Sequence, residues 1–250
     1  MKNLLKLFAL MALAGLSAAG SLAGEPAQRP TVIELFTSQS CYSCPPAEAY
    51  LGEMAENRAF IALEFHVDYW NNLVHGEDGR WRDVHSKAAF TDRQRAYAER
   101  LPEGQSYTPQ MVIDGQDFAV GSRRGHVISA IREARTGSHR RLAVRVSPAT
   151  PSGLKLSVAG SHDGPAAVWL IRFTRRVTTR VRAGENRGKT LTKHNIVTQV
   201  KRIADWRGAA LARTVGGFQL KPGEGCAILV QDDAAGPILG AAHCPAAAGG

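Results

Sequence analysis

The feature that most constrains this chain is Cys41-Tyr42-Ser43-Cys44. It lies between a β-rich run, Thr31–Phe36 (TVIELF), and a helical stretch opened by proline, Pro45–Asn57 (PPAEAYLGEMAEN). A cysteine pair at the start of a helix faces unpaired backbone N–H groups and the positive end of the helix dipole. That environment favours the thiolate, lowers its pKa and lets the sulfur attack a disulfide at neutral pH. A second cysteine across two intervening residues is near enough to resolve the mixed disulfide. Cys41, nearer solvent and farther toward the helix start, is the expected attacking sulfur, and Cys44 the resolving one. Pro45 and Pro46 qualify this: a helix beginning at Pro46 leaves Cys41 in a loop, where the dipole acts more weakly. The same spacing also fits a structural disulfide or half of a metal site, although zinc needs two more ligands and the chain has no second Cys-x-x-Cys.

The elements around the motif follow a definite order. Phe60–Trp70 (FIALEFHVDYW) begins as a buried strand, and Ser86–Leu101 has helical composition. Asp114-Gly115-Gln116 is a turn between short strands at Gln110–Asp114 and Asp117–Val120, and Val127, Ile128 and Ile131 form a helical stripe within Arg124–Arg135. The order β-α-β-α-β-β-α is the one a thioredoxin-type domain uses, and the expected domain runs over residues 30–137. Beyond Gly137–Arg140 the pattern changes to alternating strands: Leu142–Ser147, Leu154–Gly160, Ala167–Phe173, Val177–Val181, Asn195–Ile203, Cys226–Gln231 and Ile238–Ala242. Short strands at this spacing predict an all-β sandwich-like module over residues 138–245. The expected fold class is thus an α/β thioredoxin-like domain followed by that module.

Tyr107-Thr108-Pro109-Gln110-Met111-Val112-Ile113 is the second signal. A Thr-Pro just ahead of an apolar strand suits the proline loop opposite a thioredoxin-type site, so Pro109 is expected to be cis, to face Cys41 and to shape the docking edge. Thr108, through its backbone, and Tyr42 are the candidate substrate-binding residues, since an extended segment can pair with such a backbone strand to strand.

The stretches ELFTSQSCYSCPPAE, FHVDYW, FTDRQRAYA and YTPQMVIDG, with GENRGKTLTKHNIV later, resemble the exported thioredoxin-like family catalogued as domain of unknown function 1223. The resemblance spans nearly the whole chain after its leader, and implies a thioredoxin-like fold followed by a β-rich region. Ser40 stands where that family usually has glycine, Asn71 where it often has aspartate, and Val74–Lys87 departs from its usual pattern.

The leader itself is Lys2 and Lys6, an apolar run Leu7–Ala14, and Ser21-Leu22-Ala23. It reads as a signal peptide over residues 1–23, whose apolar run is too short to span a bilayer. No later segment reaches transmembrane length, so the mature form is expected to carry no transmembrane segment and to be exported, periplasmic or secreted. In an oxidising compartment the four cysteines suggest two pairs. Cys226 and Cys244, beside the last two predicted strands, are the candidate structural disulfide.

Glu34 and His66, on predicted central strands, are possible proton shuttles for Cys44, or satisfied polar residues at strand ends. His75, Asp78 and His85 fall in a polar loop that could bind metal, or gather there by chance; Trp70 and Trp81 bracket it and form either an apolar rim for a protein substrate or core packing. Gly184-Glu185-Asn186-Arg187-Gly188-Lys189 has turn composition and suits a hairpin tip contacting the first domain. The formal net charge is +9, with many cations late in the chain, among them Arg172, Arg175, Arg176, Arg180, Arg182, Arg187, Lys189 and Lys193. A solvated strand face accounts for them, with attraction to anionic polymers as the alternative.

The expected function is thiol–disulfide exchange with protein thiols or disulfides, without a cofactor or resident metal and without nucleic acid, from which export separates the chain. The alternatives are a copper-handling protein using Cys41, Cys44 and His66, and a binding module whose disulfides are staples.

Overall fold

The computed structural model describes residues 29–101, 104–136, 142–150, 152–232 and 235–246. The expected signal peptide, the division at Gly137–Arg140 and the tail beyond Ala246 lie outside the described residues. The first half contains β1 (Thr31–Thr37), α1 (Pro45–Ala55), β2 (Phe60–His66), α2 (Ala88–Arg100), β3 (Gln110–Ile113), β4 (Asp117–Val120) and α3 (Arg124–Thr136). Short 3-10 turns at Tyr69–Asn72 and Gly76–Asp78 interrupt the segment between β2 and α2.

Local chemistry accounts for these elements. α1 carries proline in its first turn, where no intrahelical N–H is required. Phe90, Thr91, Gln94 and Tyr97 on α2, and Val127, Ala130, Ile131 and Ala134 on α3, recur at helical spacing and are the buried faces. Every residue of β1 is buried, as suits a central strand covered on both faces. Ile33 and Leu35 pack with α1 and α3, whereas Val32 and Phe36 pack with Phe90 and Tyr97 of α2.

The second half contains β5 (Ala143–Thr150), β6 (Gly153–Ala159), β7 (Ala166–Arg180), β8 (Thr190–Trp206), β9 (Leu211–Gly216), β10 (Glu224–Asp232) and β11 (Ile238–His243). The two strands expected at Ala167–Phe173 and Val177–Val181 are one 15-residue strand, β7, paired along its length with the 17-residue β8. That ladder carries the chain straight through the polar Thr174–Arg176. β9 was not expected, because LARTVG lacks a clear apolar alternation.

The strands form an eight-stranded sheet, ordered β11-β10-β7-β8-β2-β1-β3-β4, and a three-stranded sheet, β5-β6-β9. β1 and β2 are parallel, and β3 and β4 run antiparallel beyond them. This is a mixed α/β fold with a large mixed sheet and a second antiparallel sheet. The sandwich expected of the second half shares one of its layers with the first half. Leu154, Leu156 and Val158 of the small sheet pack on Val168, Leu170, Ile228 and Val230 of the large one. While Phe65, Phe90 and Tyr97 share one core with Ile171, Phe173 and Leu229, the ladder between the halves is narrow, β8 meeting β2 in parallel at Glu64↔Ile196. Asn195, at φ 49°, turns its amide onto the Ala62 carbonyl at 2.9 Å and substitutes a side-chain bond for a ladder bond there.

Cys226 on β10 is disulfide-bonded to Cys244, just past β11, and the Cys244 N–H donates to the Cys226 carbonyl at 2.9 Å. Closing a loop of this 18-residue separation removes about 3 kcal/mol of unfolded-state entropy. Among the described residues no helix is long and apolar enough to cross a membrane.

Candidate functional site

β1 delivers the chain to a buried turn, Ser38–Ser40, whose Ser38 carbonyl accepts from Cys41 N–H at 3.1 Å. Cys44 is the N-cap of α1, and its carbonyl accepts from the N–H groups of Ala47 and Glu48 at 2.9 and 3.1 Å. α1 therefore begins at Pro45, with Cys41 in the turn ahead of it. Cys41 and Cys44 are disulfide-bonded with their Cα atoms 5.4 Å apart.

Cys41 was expected to be the more exposed sulfur; instead both cysteines are 0% exposed, on either side of Tyr42 at 66% and an exposed Ser43. Residues 181–189, the tip between β7 and β8, reach the cysteine loop, where the Asn186 amide donates to the carbonyls of Gln39 and Cys41. The expected contact between this tip and the first half is thus made, and it is made at the cysteines.

The Phe36↔Gln110 pairing puts Pro109 across from the end of β1, at the sheet end from which the cysteine loop departs. The Thr108–Pro109 bond is cis, the geometry expected from the sequence. Trp70 Nε1 donates to Thr108 Oγ1 and Trp81 Nε1 to Gln39 Oε1, both at 2.9 Å. The two indoles are half-buried and tied to the flanks of the site.

Behind the cysteine loop runs a buried chain of alternating charges. Thr37 Oγ1 donates to Glu48 Oε1 at 2.6 Å. Lys193 of β8, 0% exposed, meets Glu48 in a close ion pair and lies 3.9 Å from Glu64. Glu64 Oε1 is 3.0 Å from His66 Nε2, and His66 Nδ1 is 2.6 Å from Asp83 Oδ2. Asp83 in turn accepts the Gln39 N–H at 2.8 Å, which returns the chain to the cysteine loop. Burial raises the Glu48 carboxyl, and Lys193 pulls it partly back. Burial opposes a charged His66, but Asp83 and Glu64 outweigh it and lift its pKa to about 9. Burial opposes the Asp83 carboxylate, and His66 with the Gln39 and His85 N–H groups nonetheless holds it at about 2.

These shifts give a pH dependence with a definite sign. His66, raised from 6.5 to about 9, contributes stability that is full below pH 6.5 and lost as pH rises through 9. Asp83, lowered from 3.8 to about 2, contributes stability present above pH 3.8 and lost as pH falls through 2. Urea denaturation is expected to give a plateau between about pH 4 and 6.5 and a loss of a few kcal/mol by pH 9.5. His66→Asn should flatten the alkaline fall; an unchanged slope in that variant would assign it to other groups.

The candidate shuttles separate. Glu34 goes to the α2 face, where Arg93 Nε and Nη2 donate to its two oxygens at 2.9 and 3.0 Å and the Tyr97 hydroxyl donates closely. His66 reaches the cysteine loop only through Asp83 and the Gln39 N–H. With both ring nitrogens engaged, it offers no free nitrogen as a third copper ligand beside the sulfurs. His75, Asp78 and His85 disperse: His75 lies 3.5 Å from Glu185, Asp78 3.3 Å from Arg187, and His85 lies edge-on to His66. Among the described residues no three His, Cys, Asp or Glu gather to hold a metal.

The sequence singles out neither Glu48 nor Asp83, gives Asn186 only as part of the 184–189 turn, and groups Lys193 with the solvated cations. Arg175, Arg176, Arg180, Arg182 and Arg187 are exposed, as that reading requires, but Lys193 is buried. The available signal was Glu48 in the first turn of a helix that starts at the cysteines.

The family described as "Protein of unknown function (DUF1223)" matches residues 32–231. No curated protein matches. Among solved structures, a structural-genomics target protein of Agrobacterium tumefaciens is similar at 29% identity and a TM-score of 0.70, over 86% of this chain and 93% of that one. HBP35 of Porphyromonas gingivalis is similar in fold at a TM-score of 0.52, with 14% identity over 86% of this chain and 74% of that one.

Proposed function

This chain belongs to the DUF1223 family of proteins of unknown function, and from that premise we propose that it is an exported thiol–disulfide exchange protein whose first half is thioredoxin-like. The observation that carries the reading is the Cys41–Cys44 disulfide, whose second cysteine caps the N-terminus of α1. A thiolate released there sits at the positive end of the α1 dipole, which suits it to leave. Support comes from the sheet order β2-β1-β3-β4, with α1 and α3 against one face and α2 against the other, which is the arrangement of a thioredoxin-type domain. Pro109 at the same sheet end, with Thr108 beside it, supplies a backbone edge for an extended substrate. Two disulfides suit an oxidising compartment, in keeping with export.

In this reading Cys41 attacks and Cys44 resolves. Tyr42 and Thr108 contact the substrate, and Cys226–Cys244 remains a staple. His66 keeps a route to the cysteine loop through Asp83, whereas Glu34 is committed to Arg93.

Trapping tests the assignment. Reduced Cys44→Ala protein, mixed with oxidised glutathione, should accumulate a mixed disulfide on Cys41 as glutathione leaves, seen as one added glutathione by intact mass. Cys41→Ala should form the adduct at least about tenfold more slowly, because Cys44 lies under the helix start. Faster adduct formation on Cys44 would reverse the roles, and equal rates would overturn the assignment of Cys41 as the attacking sulfur.

A further inference from the structure

The β7–β8 tip is a compact turn in its own right. Val181 N–H donates to Lys189 O and Gly188 N–H to Val181 O, both at 2.9 Å, and Arg187 N–H donates to Gly184 O at 2.9 Å. Gly184 and Gly188 take φ of 75° and 83°, which glycine adopts freely, and a Cβ on Gly184 would come within 3.1 Å of Trp81. The tip thus holds its shape from within, and its contacts with the cysteine loop are additional to that.

Those contacts converge on the cysteine loop. Asn186 is 0% exposed; its amide nitrogen donates to the carbonyls of Gln39 and Cys41 at 2.9 Å each, and its Oδ1 accepts from Lys189 Nζ at 2.8 Å. Glu185 Oε2 accepts the Tyr42 N–H at 2.8 Å, and Lys189 Nζ lies 4.3 Å above the Tyr42 ring. At the far side Gly184 N–H donates to Asp78 O at 2.8 Å, and Arg187 pairs with Asp78. The Arg187–Asp78 pair is exposed and holds little, so the buried Asn186 bonds are the main latch.

We propose that this hairpin tip, latched by Asn186, is a gate that controls the access of thiols to the Cys41–Cys44 disulfide. The inference rests on the exchange reading above and adds the control of access to it. An attacking sulfur must approach along the S–S axis, and both cysteines are wholly buried; in this proposal the tip that bonds to the Cys41 carbonyl lifts to let it reach Cys41 Sγ. The chemistry is then ordinary exchange with a dithiol. One thiolate bonds to Cys41 Sγ and displaces Cys44 as thiolate. The second thiolate attacks the mixed disulfide and releases Cys41, so the dithiol loses two electrons and the cysteine pair gains them with two protons.

Asn186 is a positioning residue, so its test needs a readout other than stability. The rate at which dithiothreitol reduces each disulfide is followed by acid quench, alkylation and peptide mapping, in the full-length protein and in Asn186→Ala, Asn186→Asp and Glu185→Ala. Thermal midpoints are measured alongside. Asn186→Ala removes both donors, and Asn186→Asp sets a carboxylate against two carbonyls. Each should speed reduction of Cys41–Cys44 about tenfold or more, with Asp at least as fast as Ala, and leave Cys226–Cys244 unchanged. Glu185→Ala, at a surface position that folding tolerates, should give a smaller rise in the same direction. Wild-type rates, or slower ones, in folded variants would overturn the gate while leaving exchange standing, provided Cys41–Cys44 still reacts much faster than Cys226–Cys244. A Cys41–Cys44 bond no more reducible than Cys226–Cys244 in every variant would overturn both.

Discussion

Lys193→Met is expected to cost about 3–5 kcal/mol at pH 7, the usual loss when one partner of a buried ion pair is removed. Lys193 is wholly buried on β8 between Glu48 of α1 and Glu64 of β2. Methionine fills similar volume but leaves two carboxylates facing each other in an apolar interior. The cost should shrink as pH falls, because burial already pushes the Glu48 carboxyl up and a proton relieves it of its charge. Adding Glu48→Gln to Lys193→Met should recover most of the loss, since the pair is then removed together. Urea denaturation at pH 5 and pH 7 reads both effects. A pH-independent loss under about 1 kcal/mol would mean that the pair is solvated and that the second half does not support α1 electrostatically.

Arg93→Met should be at least as costly, about 3–5 kcal/mol. Arg93 grips Glu34 of β1 with two hydrogen bonds, and Nη2 also donates to the Tyr97 hydroxyl at 2.9 Å and to Gln231 Oε1 at 3.0 Å. Gln231 Nε2 donates to the Tyr97 hydroxyl at 2.8 Å and to the Gly236 carbonyl at 2.9 Å, so one guanidinium joins β1, α2 and β10. Its loss strands the Glu34 carboxylate and loosens both halves at once. Arg93→Lys keeps the charge but not the planar fork and should recover only part of the stability. Full recovery with lysine would show that charge alone, rather than the two-pronged geometry, holds this junction.

The sequence revealed those parts that local chemistry decides. β1, α1, β3, β4 and α3 were readable because apolar periodicity, Pro45 and the Asp114–Gln116 turn act over a few residues. Cys41–Cys44 and Pro109 were readable because their spacing and flanks carry the signal. The network behind them was not, since nothing local says that Lys193, one cation in a basic run, is the residue that meets Glu48 far away in sequence. Glu34 drew attention as a carboxylate on a central strand, but its role was fixed by Arg93 and Gln231, which no motif links to it. The tip at residues 184–189 was legible as a turn, and its place over Cys41 depends on the length of the β7–β8 ladder, which composition at Thr174–Arg176 obscured.

The central claim is that Cys41–Cys44 is a working disulfide and Cys226–Cys244 a staple. Equilibration of the folded protein across glutathione buffers of graded potential, with acid quench, alkylation and peptide mapping, measures both pairs in one sample. The account predicts that Cys41–Cys44 titrates as a two-electron couple at a potential above about −300 mV, while Cys226–Cys244 stays oxidised throughout, as structural disulfides do. Both pairs resisting reduction together, or Cys226–Cys244 opening first, would contradict it.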